Sequence, residues 1–153
     1  MSKSKQQSSR EPRRILDPFD VMRATHALAP HDPKLNDLRW LTGEALRRVW
    51  QRSQIDGLQS VPTTRVTGGS LAPGSGLLTS EIALHARGKL RVCEDKVGPD
   101  CWPVLVEVIV RGRRLAECRS LVPEVVTAWR CDAVLMDRIP RSLDSLFSPL
   151  GIS

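Results

Sequence analysis

The residue pattern most suited to chemistry here is one of recognition, and it lies in the stretch RRLAECRSLVPEVVTAWR, residues 113–130. A helix-turn-helix needs a short supporting helix, a tight turn and a second helix that enters the major groove of DNA, with apolar and small residues where the two helices touch. Leu115 and Ala116 supply an apolar and a small residue in the first helix, and Leu121 follows the turn. The same spacing predicts that Val126 and Trp129 face inward on a second helix opened by Pro123, with Glu124 at the positive end of its dipole. Glu124, Thr127, Ala128 and Cys131 then point outward, with Arg130 at the edge, as the groove-facing set. Arg111, Arg113, Arg114 and Arg119 are positioned to hold phosphates beside the groove and would make binding salt-sensitive. The pattern departs from the motif at Ser120, where glycine is common, and at Arg119, where an apolar residue is common. An ordinary helical hairpin, with the same residues packed as core, is the competing reading.

Other chemistry finds little support. Cys93, Cys101, Cys118 and Cys131 are irregularly spaced, with no C-x-x-C pair and no histidine at ligand distance, so no zinc site is expected. Reduced thiols packing as small hydrophobes account for them. His26, His31 and His85 stand in no nucleophile or metal arrangement and the chain has no tyrosine, so neither an enzyme nor a cofactor is expected. The glycine-rich GGSLAPGSG lacks the lysine and helix entry of a phosphate-cradling loop.

Helices must position the 113–130 stretch. Asp17 caps a first helix with Pro18 in its opening turn and Phe19, Met22 and Ala27 on its apolar face. Asn36 is expected to cap a second, whose stripe is Leu38, Leu41, Ala45 and Val49, widened by Leu46 and Trp50. Arg39, Arg47, Arg48 and Arg52 fill the rest of that helix as a solvated face. Gly, Pro, Ser and Thr then dominate a linker at residues 59–77. Thr79 or Ser80 caps a third helix with Ile82, Ala86, Leu90, Cys93 and Val97 along one face and Gly88 as a weak point. From Asp100, WPVLVEVIV is apolar almost all round, as a central buried helix would be; its β-branched run also permits a strand, but no second alternating segment is available to pair with it. Leu143, Leu146, Phe147 and Leu150 close the bundle.

The formal charge of +6 favours a polyanionic partner, yet Lys3, Lys5, Arg10, Arg13 and Arg14 against Glu11 place most of the excess in the first fourteen residues. That tail has no apolar side chain beyond Met1 and is expected to be disordered. The apolar run near Val104 to Val110 is far short of the roughly 20 residues of a membrane span. With no secretory signal either, the expected compartment is the cytoplasm and no membrane partner is expected.

Several segments together resemble a domain-of-unknown-function family of alphaproteobacteria and their prophages: LNDLRWLTGEALRRVWQRSQIDGL, VGPDCWPVLVEVIV with GRRLAEC, and LDSLFSPLGIS. The resemblance covers residues 17–153 apart from the linker; where the family has a pair of cysteines in the buried helix, Val108 and Ile109 stand here. It implies a regulator of prophage or gene-transfer-agent genes whose C-terminal half looks like the promoter-reading region of a sigma factor. It brings no catalytic residues.

The expected fold is therefore all-α, a small helical bundle containing a helix-turn-helix, with a disordered basic tail at residues 1–14. A helical pair at 15–58, the linker at 59–77 and a helix-turn-helix domain at 78–153 follow. The expected function is a DNA-binding transcription regulator, an activator with double-stranded DNA, RNA polymerase and a partner regulator as partners. The alternatives are a phage packaging adaptor of small-terminase type and a protein-only adaptor of the transcription machinery.

Overall fold

The computed structural model describes residues 16–55 and 75–153. The elements are α1 Pro18–Ala24, α2 Pro33–Gln54, α3 Ser75–Val97, α4 Trp102–Leu105, a π-helical turn Val106–Val110, a 3-10 helix Leu115–Leu121, α5 Ala128–Ser145 and α6 Phe147–Leu150. The described residues form no strand, and the fold is all-α. The basic tail and most of the linker fall outside the described residues; α3 already begins at Ser75, so neither Thr79 nor Ser80 caps it.

α1 starts as its sequence dictates. Asp17 Oδ1 accepts from the Phe19 amide at 2.9 Å, and Pro18 occupies a position where no amide is needed. The helix ends at Ala24 with Thr25 as its C-cap, and His26 just beyond takes a left-handed φ of 56°. α2 begins earlier than expected. Asp32, not Asn36, accepts the Leu35 amide at 3.0 Å, and Pro33 follows it. Asn36 is buried one turn further in, where its Nδ2 donates to the Arg23 carbonyl at 3.0 Å and so ties the end of α1 to α2.

The apolar stripe of α2 is also rotated. Leu41 is exposed, while Thr42, Gly43, Leu46, Val49 and Ser53 face the core. The cause is close approach: a Cβ on Gly43 would lie 2.4 Å from Phe19 Cε1 and Cζ and 3.4 Å from Ile109 Cγ2. Small side chains mark this face because the Phe19 ring lies against the helix itself. On α3, Ala83, Ala86 and Cys93 are buried while Ile82, expected inward, is exposed. Small residues again sit on the inward face of a helix that packs against α2.

The apolar segment from Trp102 is helical and central: Val104, Leu105, Val108 and Ile109 are completely buried. Its second half widens into a π-turn closed by the Arg111 amide on the Val106 carbonyl at 2.9 Å. The Ile109 carbonyl in this turn accepts from Arg47 Nε at 2.6 Å. Arg47 also pairs with Glu44 at 2.6 Å and with Asp17. Arg39 makes a bidentate bond to Asp144 on α5, at 2.7 and 2.6 Å, and caps the Leu28 carbonyl. These two arginines are thus not a solvated face: they join α1, α2, the π-turn and α5. One cluster containing Phe19, Leu46, Cys93, Ile109, Leu135 and Leu143 unites the segments on either side of the linker.

Replacing Gly43 by Ala is expected to lower stability by about 1–3 kcal/mol, because the added methyl must displace a buried ring. Gly88, where an added Cβ meets nothing within 4 Å, should tolerate the same change with a gain of about 1 kcal/mol. Urea unfolding midpoints of the two variants check this; two changes of the same sign would contradict the packing.

Candidate functional site

The region from Arg111 to Val134 has a backbone set by three local facts. Arg114 precedes the 3-10 helix, and its amide donates to Glu117 Oε2 at 2.9 Å. Cys118 anchors that short helix in the core. Residues 122–127 are not helical, and α5 starts at Ala128 with Thr127 in the cap position.

The expected second helix from Pro123 therefore does not form. Val122 must reach the core, where it is wholly buried, and does so with φ −122° and ψ 64°, outside helical space. The β-branched Val125, Val126 and Thr127 that follow have little helix propensity. The later start also sets which side of α5 is buried. Cys131, Leu135, Ile139, Leu143 and Leu146 face inward at four-, four-, four- and three-residue intervals. Trp129 precedes Cys131 by two residues, about 200° around the helix at 3.6 residues per turn, and so points away from the core. Trp129 is 66% exposed and Val126 98% exposed, opposite to the inward placement expected for both. Ala116, expected at the helix contact, is likewise exposed.

The groove-facing set divides. Thr127, Ala128 and Arg130 are exposed on the amino-terminal turn of α5, as expected. Cys131 is buried, and its thiol donates to the Val125 carbonyl at 3.1 Å, so it cannot read a base. Glu124 is exposed but accepts from Arg138 Nη2 at 2.6 Å. Val126, Trp129, Arg130 and Ala133 instead border a shallow depression of about 560 Å³. The Arg130 guanidinium stands 5.2 Å from the centre of the Trp129 ring, within cation–π range.

The phosphate-holding set divides too. Arg111 Nη1 bonds Glu107 Oε1 at 2.6 Å. Arg113 Nε lies 2.9 Å from Glu107 Oε2, compensating its charge while standing off its hydrogen-bonding axis. Arg119 is held by both oxygens of Asp132, at 2.9 and 2.8 Å. An arginine at this usually apolar position of the motif is explained by that carboxylate on α5. Arg114 and Arg130 have no carboxylate partner among the described residues. The sequence pattern does not single out Glu107, Asp132 or Arg138; Glu107, four residues before Arg111, stands at a helical pairing distance that could have flagged it, whereas Asp132 is 13 residues after Arg119 and Arg138 is 14 after Glu124, distances at which one sequence carries no pairing signal.

Burial pushes the Cys93 thiol upward against the lowering effect of Lys89. Burial, reinforced by Glu107, does the same at Cys118. Both therefore remain protonated packing groups. Among the described residues no group of three His, Cys, Asp or Glu is arranged to hold a metal, and no helix is long and apolar enough to cross a membrane. No family model, no curated protein and no solved structure matches the chain.

The Arg119 guanidinium holds Asp132 below its ordinary pKa, about 3.9. Glu124 is lowered by its own backbone amide and then by Arg138. Both carboxylates bind protons less readily in the folded chain than in the unfolded one. Their contribution is complete above the unfolded values and is lost as pH falls through the folded ones. The fall in urea midpoint between about pH 6 and about pH 3 should be smaller in Asp132→Asn than in the parent chain; equal falls would show that the Arg119 clasp contributes nothing.

Proposed function

We propose that the chain is a DNA-binding transcription regulator that presents the amino-terminal turn of α5 to the duplex. The observation supporting this is the exposure of Thr127, Ala128, Trp129 and Arg130 together at the start of an 18-residue helix whose opposite side is anchored in the core. A helix end of this kind offers free amides and a positive dipole to phosphate while its first side chains reach base edges. The reading element thus begins five residues later than the sequence pattern placed it, at Ala128 instead of Pro123. Of the arginines in and beside this segment, Arg114 and Arg130 are the ones available to phosphates, and the basic tail supplies further nonspecific attraction. From the resemblance of its segments to the alphaproteobacterial prophage family, we propose that it activates prophage or gene-transfer-agent genes together with RNA polymerase and a partner regulator, in the cytoplasm.

Charge favours a second reading. Residues 98–153 contain seven arginines and seven acidic residues, with no lysine, so this half lacks the net positive field typical of a DNA-binding domain. Tryptophan is among the residue types most enriched at the anchors of protein contacts, and Trp129 is exposed beside the exposed Val126. In that reading the chain is a protein-only adaptor that docks on the transcription machinery through Trp129 and Val126.

Fluorescence anisotropy of labelled duplex DNA with the full chain separates the two readings. Under the first, Arg114→Ala with Arg130→Ala should weaken binding and reduce the slope of log K against log salt by about 2, one for each phosphate that is no longer neutralised. An unchanged slope would remove both arginines from the interface. If the full chain fails to bind duplex at low salt while Trp129→Ala abolishes its association with purified RNA polymerase, the adaptor reading replaces the first.

A further inference from the structure

We propose that the cleft between α2 and α3 is a binding site for a small amphipathic organic anion, one with a carboxylate head and an apolar body. The inference is independent of the α5 turn. The cleft encloses about 470 Å³, within the roughly 300–1,000 Å³ range of small-molecule sites. Val49 and Ala86 form an apolar floor, and Ile82 adds an exposed apolar wall. Arg52 from α2 and Lys89 and His85 from α3 border the same space.

The cations distinguish this cleft from an ordinary gap between helices. Arg39 and Arg47, earlier on α2, are both committed to carboxylates and to backbone carbonyls. Arg52 and Lys89 have no ion pair with a described residue. Two uncommitted cations therefore meet an apolar floor, and the complementary molecule carries one anionic end and one hydrophobic end. Among the described residues Glu81 is the single carboxylate bordering the cleft, eight residues before Lys89 on α3. At 1.5 Å per residue it lies about 12 Å from the lysine along the helix axis, so the anionic head belongs at the Lys89 end and the apolar body over Ala86 and Ile82. A neutral or cationic amphiphile finds the same floor but loses the charge pairing, and a cationic head would meet Arg52 and Lys89 unfavourably.

The test is an amide nitrogen–proton NMR titration of the full chain with octanoate, alongside 1-octanol and octylammonium. Octanoate should shift the amides of Val49, Ile82, Ala86 and Lys89 saturably, with a dissociation constant in the millimolar range expected of a ligand this small. Octanol and octylammonium should bind at least about tenfold more weakly, a difference of about 1.4 kcal/mol. The double variant Arg52→Glu with Lys89→Glu should keep its spectrum elsewhere, since neither side chain is buried, and lose the octanoate response. Equal binding of octanol, a response in the double variant like that of the parent, or shifts centred on another surface would each overturn the proposal.

Discussion

The contact between the Phe19 ring and the bare backbone of Gly43 sets the geometry of the whole bundle. It brings α1 onto α2 with no intervening side chain and leaves room for Ile109 from the π-turn to close the same space. Everything built on that contact is sealed by arginine. Arg47 binds the acid that caps α1, an acid on its own helix and a carbonyl of the π-turn, so three elements share one cation. Arg39 does the equivalent work between α2, the Leu28 carbonyl and α5. Charged groups held this way cost much to desolvate, and what they secure is the mutual placement of the helices as much as stability.

The helices themselves are legible in the sequence because their apolar residues recur at helical spacing, and α1 and α2 also announce their starts with Asp followed by Pro. The faces are less so. On α2 and α3 the expected stripes include Leu41 and Ile82, whereas the structure exposes both and buries Thr42, Gly43 and Ala83 beside the expected Ala86. Large residues announce hydrophobicity but not closeness; where two helix backbones approach, the inward face is the one with little on it. Asn36 misled for a related reason: an amide at a helix start reads as a cap until a better one, Asp32, stands four residues earlier and the amide is required inside to satisfy Arg23.

At the candidate site the sequence pattern and the fold differ in helix phase. A helix starting at Pro123 would turn Trp129 inward; the start at Ala128 turns Cys131 inward instead. The repeat Cys131, Leu135, Ile139, Leu143 stands in the sequence and fixes the buried side, whereas the helix-turn-helix spacing points to Val126 and Trp129 instead. Composition misled in a second way. The arginines near the motif suggested a field of free positive charge, yet Arg111, Arg113, Arg119 and Arg138 each face a carboxylate brought in by the fold. Net charge counts side chains, whereas a ligand meets only those without a partner.

None of the side chains from Val126 to Arg130 is buried, and the helix they begin is held from Cys131 onward. Changes at such positions ordinarily alter stability by no more than about 0.5 kcal/mol. The tip of α5 is therefore mechanically decoupled from the scaffold: its side chains can be exchanged while the helix that carries them stays seated.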